Sequence, residues 1–124
     1  LVFAACTTTF LGYDAQKVGY GFTLPGGVKG TSEIEALMEM KDNKAAIAKI
    51  AETREWLEDE KKNPMYDDQI YLDNLSIQEQ ELDFLEAICQ LRRWHYFSGK
   101  KSLTKIANGG GVYAEEAQDL LEKL

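Results

Sequence analysis

Apolar residues recur at helical spacing along most of the chain after residue 30. The motif Ser32-Glu33-Ile34-Glu35 fits a capping box, in which a serine hydroxyl and a glutamate carboxylate satisfy backbone N–H groups at a helix start. Asn63-Pro64 is typical of a helix end. We therefore predict helix over most of residues 33–62, with an interruption at Asp42-Asn43.

The strongest periodic stretch follows a second capping-box motif, Ser76-Ile77-Gln78-Glu79. Its apolar residues cover about half of the helix circumference, so we predict that this helix is the central packing element. The stripe consists of Ile77, Phe84, Ile88, Leu91 and His95, widened by Leu82, Leu85 and Cys89.

Two shorter helices are predicted towards the C-terminus. Ser98-Gly99 indicates a stop, residues 100–107 a short helix, and Asn108-Gly109-Gly110-Gly111 a clear break. An amphipathic pattern from Tyr113 to Leu124 then predicts a last helix. The fold class is mainly α, a small bundle of three to four helices in one domain over residues 31–124.

Residues 1–30 differ from the rest because they contain six of the ten glycines, interleaved with aromatic residues. Glycine at this density opposes helix formation, so we predict an extended arm with little capacity to build its own core. Such a segment gains burial by lying on a partner. The partner-binding side chains that we expect in the arm are Phe3, Phe10, Tyr13, Tyr20 and Phe22.

The composition of the chain argues against several classes of function. The 124 residues carry a net charge of −7, which argues against a nucleic-acid binder because phosphate neutralisation requires a basic surface. The apolar stretch Leu1 to Leu11 is too short to span a bilayer, so we expect no transmembrane helix. Cys6 and Cys89 lie in no metal-binding motif, and we expect neither a metal site nor a resident cofactor.

His95 is the only histidine, which restricts the catalytic arrangements that the chain can form. A histidine on an apolar helical stripe is most often a hydrogen-bonded core residue. The alternatives are an interface contact or axial ligation of a pigment or haem metal. A small enzyme using Cys89 and His95 is the least favoured hypothesis, because their six-residue spacing does not align them on a helix.

Residues 92–105 carry five basic side chains and follow a segment, 64–91, with seven acids and no base. One interpretation is charge complementarity within the chain or with a neighbouring chain, together with basic residues placed near a helix C-terminus. The other is a partner or membrane-surface patch, because aromatic and arginine side chains suit both. We call residues 92–101 the basic-aromatic patch; its expected partner-binding residues are Arg92, Arg93, Trp94, Tyr96, Lys100 and Lys101.

These features favour a non-catalytic accessory subunit of a larger, membrane-bound complex. The chain starts at Leu1 rather than Met, from which we expect a processed chain whose apolar terminus is held by a partner. We expect the host to be an energy-converting complex, photosynthetic or respiratory, with the thylakoid membrane favoured. Pigment or lipid contacts with the aromatic residues are compatible with this hypothesis.

The residues Phe3-Ala4-Ala5-Cys6 carry a competing hypothesis. They resemble the lipobox of bacterial lipoproteins, with Phe3 where leucine is usual, and the resemblance covers four residues only. It implies an envelope lipoprotein or helical binding protein anchored by lipid at Cys6.

Overall fold

A computed structural model of the chain describes residues 15–20 and 31–124. This part is helical and contains no strand, which confirms the prediction of a mainly α bundle, with five α-helices rather than three to four. A short 3₁₀ helix, Ala15–Lys17, precedes them. The helices are α1 (Thr31–Glu39), α2 (Asn43–Lys62), α3 (Gln69–Arg92), α4 (Tyr96–Asn108) and α5 (Ala114–Glu122).

Helix α3 is the centre of the bundle. Ten of its 24 residues are buried, more than in any other described helix, and they include the polar side chains of Gln78 and Glu81. Helices α2 and α4 both pack along it, α1 packs on α2, and α5 packs on α4. The predicted role of this helix as the central packing element is therefore correct.

The start of α3 differs from the prediction. The helix begins at Gln69, capped by Asp68, whose carboxylate accepts a hydrogen bond from Tyr71 N–H at 2.9 Å. Ser76, predicted as the helix start, lies two turns inside. A capping-box motif is a local signal, and here an earlier cap together with the burial of Leu75 extends the helix past it.

The interruption predicted at Asp42-Asn43 is present. Helix α1 ends in a Schellman motif: Asp42 N–H donates to Leu37 C=O and Lys41 N–H to Met38 C=O, both at 3.0 Å. Lys41 adopts the left-handed conformation (φ 62°) that such an end requires. The Asp42 side chain then caps α2 by accepting from Ala45 N–H at 3.2 Å.

The helix end predicted at Ser98-Gly99 is wrong, because Gly99 is buried inside the first turns of α4. A Cβ at this position would lie 2.6 Å from Leu91 Cγ and 3.3 Å from the Ala87 carbonyl oxygen. Glycine is therefore used for the close approach of α4 to α3 and not to end a helix. The break predicted at Asn108 to Gly111 does separate α4 from α5.

The described piece of the predicted arm, residues 15–20, packs against the helices. Ala15 is fully buried and Val18 is 6% exposed. Arg92 at the end of α3 fixes this piece: its Nε donates to Val18 C=O at 2.7 Å, and its guanidinium also donates to Met38 C=O at 3.2 Å. One side chain thus joins residues 15–20, α1 and α3.

The α3–α4 contact makes a prediction about Gly99. At a helix position with free space around it, Gly→Ala substitution stabilises the protein. Gly99→Ala should instead lower the free energy of unfolding by about 1–3 kcal/mol, because the added methyl group overlaps Leu91. Urea unfolding followed by circular dichroism measures this. Ser98→Ala, at the exposed neighbouring position, is the matched control, and a Gly99→Ala protein as stable as the parent would contradict the packing described.

Candidate interaction surface

The turn between α3 and α4 places a tryptophan where glycine is usual. Trp94 N–H donates to Leu91 C=O at 3.1 Å and His95 N–H to Gln90 C=O at 2.8 Å, which is the Schellman pattern. Trp94 occupies the left-handed position with φ 66°. A side chain there costs about 1 kcal/mol relative to glycine, so the turn holds Trp94 against a local preference.

The surface around Trp94 is apolar and basic. Trp94 is 37% exposed and Phe97, in the first turn of α4, is 76% exposed. The Phe97 ring meets the ring of Tyr96 edge-on, with centroids 5.3 Å apart, and Lys100 Nζ lies 5.6 Å from the Tyr96 centroid. Arg93, Lys100 and Lys101 are exposed. Because α4 starts immediately after the turn, these side chains share one end of the bundle.

Arg92 takes a different place from its neighbour Arg93. It is partly buried, and its hydrogen bonds to Val18 and Met38 carbonyls hold it inside the chain. These partners are backbone carbonyls and not the acids of residues 64–91, some of which pair with Arg54 and Lys61 of α2. Arg93 and the two lysines lie on the surface.

His95 is exposed and lies at the N-cap position of α4, without a side-chain cap hydrogen bond. The prediction of a core histidine is wrong, because α3 ends at Arg92 and its apolar stripe does not reach residue 95. Cys89 is fully buried in α3, and burial raises the pKa of its thiol to about 11. Such a thiol is an inert core group rather than a nucleophile.

A buried carboxyl lies at the middle of α3. Glu81 is fully buried, and Tyr113, just before α5, donates its hydroxyl to Glu81 Oε2 at 3.1 Å. Desolvation raises the pKa of Glu81, and the negative charge of Glu35 on α1 raises it further. Sequence analysis missed this residue, although its position between Ile77 and Phe84 puts it on the apolar stripe.

Aromatic rings line the same region. Phe84 stacks on Tyr113 with centroids 5.4 Å apart and meets Tyr20 edge-on at 6.0 Å. The Tyr20 hydroxyl donates to Glu35 Oε2 at 2.7 Å. Tyr20, predicted to bind a partner, therefore makes contacts within the chain that connect residues 15–20 with α1 and α3.

A groove of about 410 Å³ lies on the α2–α3–α4 side of the bundle. Its charges are largely satisfied internally: Arg54 pairs with Asp83 at 2.7 Å and with Glu86. Gln80 at the rim accepts from Val112 N–H at 2.9 Å. The remaining lining residues are Ser102, Lys105, Ile106, Gly109 and Gly111.

The opposite end of α3 carries a second exposed apolar cluster. It lies in the segment 64–91, which sequence analysis described only by its acidic residues. Met65 is 69%, Tyr66 58% and Ile70 76% exposed. Asp67 and Asp68 are exposed beside them. We call residues 65–74 the acidic end. The sequence feature that could have revealed this cluster is the run Met65-Tyr66, followed by Ile70, in which apolar side chains alternate with acidic residues.

The remaining predicted arm residues, Phe3, Phe10, Tyr13 and Phe22, and also Cys6, lie outside the described residues.

The part of the chain that the structure describes also limits which other kinds of site are possible. Within residues 15–20 and 31–124, no cluster of three or more His, Cys, Asp or Glu side chains could hold a metal ion. The helices in the same ranges lack the combination of length and apolar composition needed to cross a bilayer. No protein-family model, curated protein or solved structure matches the chain. Its function is therefore argued from its own residues.

The buried Glu81 predicts a specific pH dependence. Because its pKa is raised in the folded state, the folded protein binds the proton more tightly, and stability falls as pH rises above the unfolded pKa. Glu81→Gln keeps an acceptor for Tyr113 and removes the charge. This variant should gain stability relative to the parent as pH rises from about 4 to 7.

Urea unfolding of parent and variant at several pH values measures this difference. The exposed Glu122→Gln is the matched control and should show no such trend. A parent and a Glu81→Gln protein with parallel stability profiles would contradict a desolvated Glu81 whose pKa is raised in the folded state.

Proposed function

We propose that this chain is a non-catalytic accessory subunit that binds a larger assembly through the basic-aromatic patch. The observation that carries the proposal is Trp94 in a left-handed backbone conformation at an exposed turn. Residues held in sparsely populated backbone conformations cluster at binding sites and other functional positions. Trp94 combines such a conformation with a side chain that is 37% exposed, which supports a contact with another molecule.

The chemistry of the neighbouring side chains supports the same proposal. Tryptophan, tyrosine and arginine dominate binding energy at protein interfaces, and phenylalanine is also enriched there. Here the exposed apolar side chains of Trp94 and Phe97 lie within nine residues that also carry the exposed Arg93, Lys100 and Lys101. The partner surface that fits is apolar at its middle and acidic at its rim.

We further propose that the host is a membrane-bound complex of the energy-converting type, photosynthetic or respiratory. The support comes from sequence: the uncharged stretch Leu1 to Leu11 is suited to lie on an apolar surface and too short to span it. Residues 15–20, which follow this stretch in the sequence, are held against α1 and α3 by the hydrogen bonds of Arg92 to the Val18 and Met38 carbonyls.

Trp94→Gly tests whether the strained tryptophan serves binding. The variant relieves the backbone but loses the packing of a partly buried ring, so its free energy of unfolding should stay within about 1 kcal/mol of the parent. Its co-purification with the host after gentle extraction from the native source should be lost. Blue native electrophoresis of tagged variants provides the measurement.

Lys41→Gly is the matched control, because Lys41 occupies the same left-handed position at the end of α1. It should gain about 1 kcal/mol of stability and keep the complex. If Trp94→Gly migrates with the large complex as the parent does, or if the parent itself migrates alone, the proposed function is wrong.

A further inference from the structure

The two exposed apolar clusters lie at opposite ends of the central helix and carry opposite charge. Helix α3 has 24 residues and is therefore about 36 Å long. The acidic end, residues 65–74, contains three aspartates and no basic residue. The surface of the basic-aromatic patch, residues 93–101, contains three basic residues and no acid. One chain thus presents both halves of a complementary pair.

The acidic end carries a shallow, open depression. Glu60 Oε1 accepts hydrogen bonds from Met65 N–H at 2.6 Å and from the Tyr71 hydroxyl at 2.5 Å, which fixes the loop between α2 and α3. Tyr66 and Tyr71 meet edge-on with centroids 5.2 Å apart. The open groove measures about 580 Å³ and is lined by Tyr66, Asp68, Gln69, Ile70, Tyr71 and Asn74.

The chemistry of this groove matches the other end of the molecule. At the acidic end the exposed Tyr66 and Ile70 lie in a segment with the exposed aspartates Asp67 and Asp68. In the patch the exposed Trp94 and Phe97 lie in a segment with exposed arginine and lysine residues. Apolar centres with oppositely charged rims are the usual form of complementary protein surfaces. Glu60 and Asp73 are already engaged within the chain, by Tyr71 and Gln69, whereas Asp67 faces solvent.

We propose that the partner surface of the basic-aromatic patch is the acidic end of a second copy of this chain. The contact rests on the proposed function, since it uses the same patch, and it specifies that the neighbour bound there within the larger assembly is another copy of this chain. Because the two surfaces are different and lie at opposite ends, the contact is heterologous and repeats head to tail. The assembly is a row of bundles joined end to end along α3.

Paired single-end variants test this directly. Phe97→Gln removes the apolar centre of the patch, and Ile70→Gln removes that of the acidic end; both sites are 76% exposed, so both variants should fold. Sedimentation velocity is measured from roughly 5 to 500 µM, the range of dissociation constants expected for weak interfaces. The sedimentation coefficient of the parent protein should increase steadily with concentration. Each variant alone should stay monomeric.

The mixture of the two variants is the decisive sample. Phe97→Gln retains an intact acidic end and Ile70→Gln retains an intact patch, so the mixture should form a one-to-one dimer and stop there. Val112→Gln replaces an exposed apolar residue away from both surfaces and should assemble like the parent.

Three results would overturn the head-to-tail contact: a parent that remains monomeric throughout, single-end variants that still assemble, or a mixture that stays monomeric. Failure of the head-to-tail contact can be distinguished from failure of the proposed function. A parent that is monomeric in isolation but loses its host complex on Trp94→Gly substitution binds through the patch to a different protein. Failure of both experiments removes both proposals.

Discussion

Burial of α3 around most of its circumference is the constraint on which the rest of the structure depends. A helix with this many buried residues is stable only when neighbours cover it along its length. Helices α2 and α4 do so, and Gly99 is needed because α4 must approach Leu91 closely. Among the polar groups that this burial encloses, Glu81 accepts a hydrogen bond from Tyr113 at Oε2, while its Oε1 is buried without a hydrogen-bond partner among the described residues. Arg92 closes the arrangement by holding residues 15–20 and α1.

The same constraint explains where the proposed binding surfaces lie. Since the flanks of α3 are covered, its two ends are where large apolar side chains remain exposed beside uncompensated charge. At one end the chain must reverse into α4, and the reversal carries Trp94 in a left-handed conformation. At the other end Glu60 orders the entering loop, which leaves Ile70 exposed in the first turn of the helix. Packing demand and binding chemistry are thus separated along one helix.

Sequence patterns predicted the elements whose signals are local and missed those decided by packing. The interruption at Asp42-Asn43 and the glycine break after Asn108 follow from backbone chemistry and were predicted, whereas the capping of α2 by the Asp42 side chain was not. The start of α3 was misplaced because a second capping motif lies inside a helix that tertiary burial extends. Trp94 follows the end of α3 in the left-handed position, where no propensity rule predicts tryptophan. The predicted apolar stripe was therefore extended wrongly to His95. The exposure of Ile70 depends on which face α2 leaves open, which spacing alone does not reveal.

Zero-length carbodiimide cross-linking with mass spectrometry tests the central claim, that the two ends of α3 are binding surfaces that fit each other. Lys61 and Glu79, 2.6 Å apart, provide an internal positive control. Lys100 and Asp67 are separated within one chain by about 30 Å, too far for such a link, so any amide between them joins two molecules. The account predicts amide cross-links from Lys100 or Lys101 to aspartates of the acidic end in concentrated parent protein. The same cross-links should be absent in the Phe97→Gln variant. Intermolecular links confined to other surfaces would contradict it.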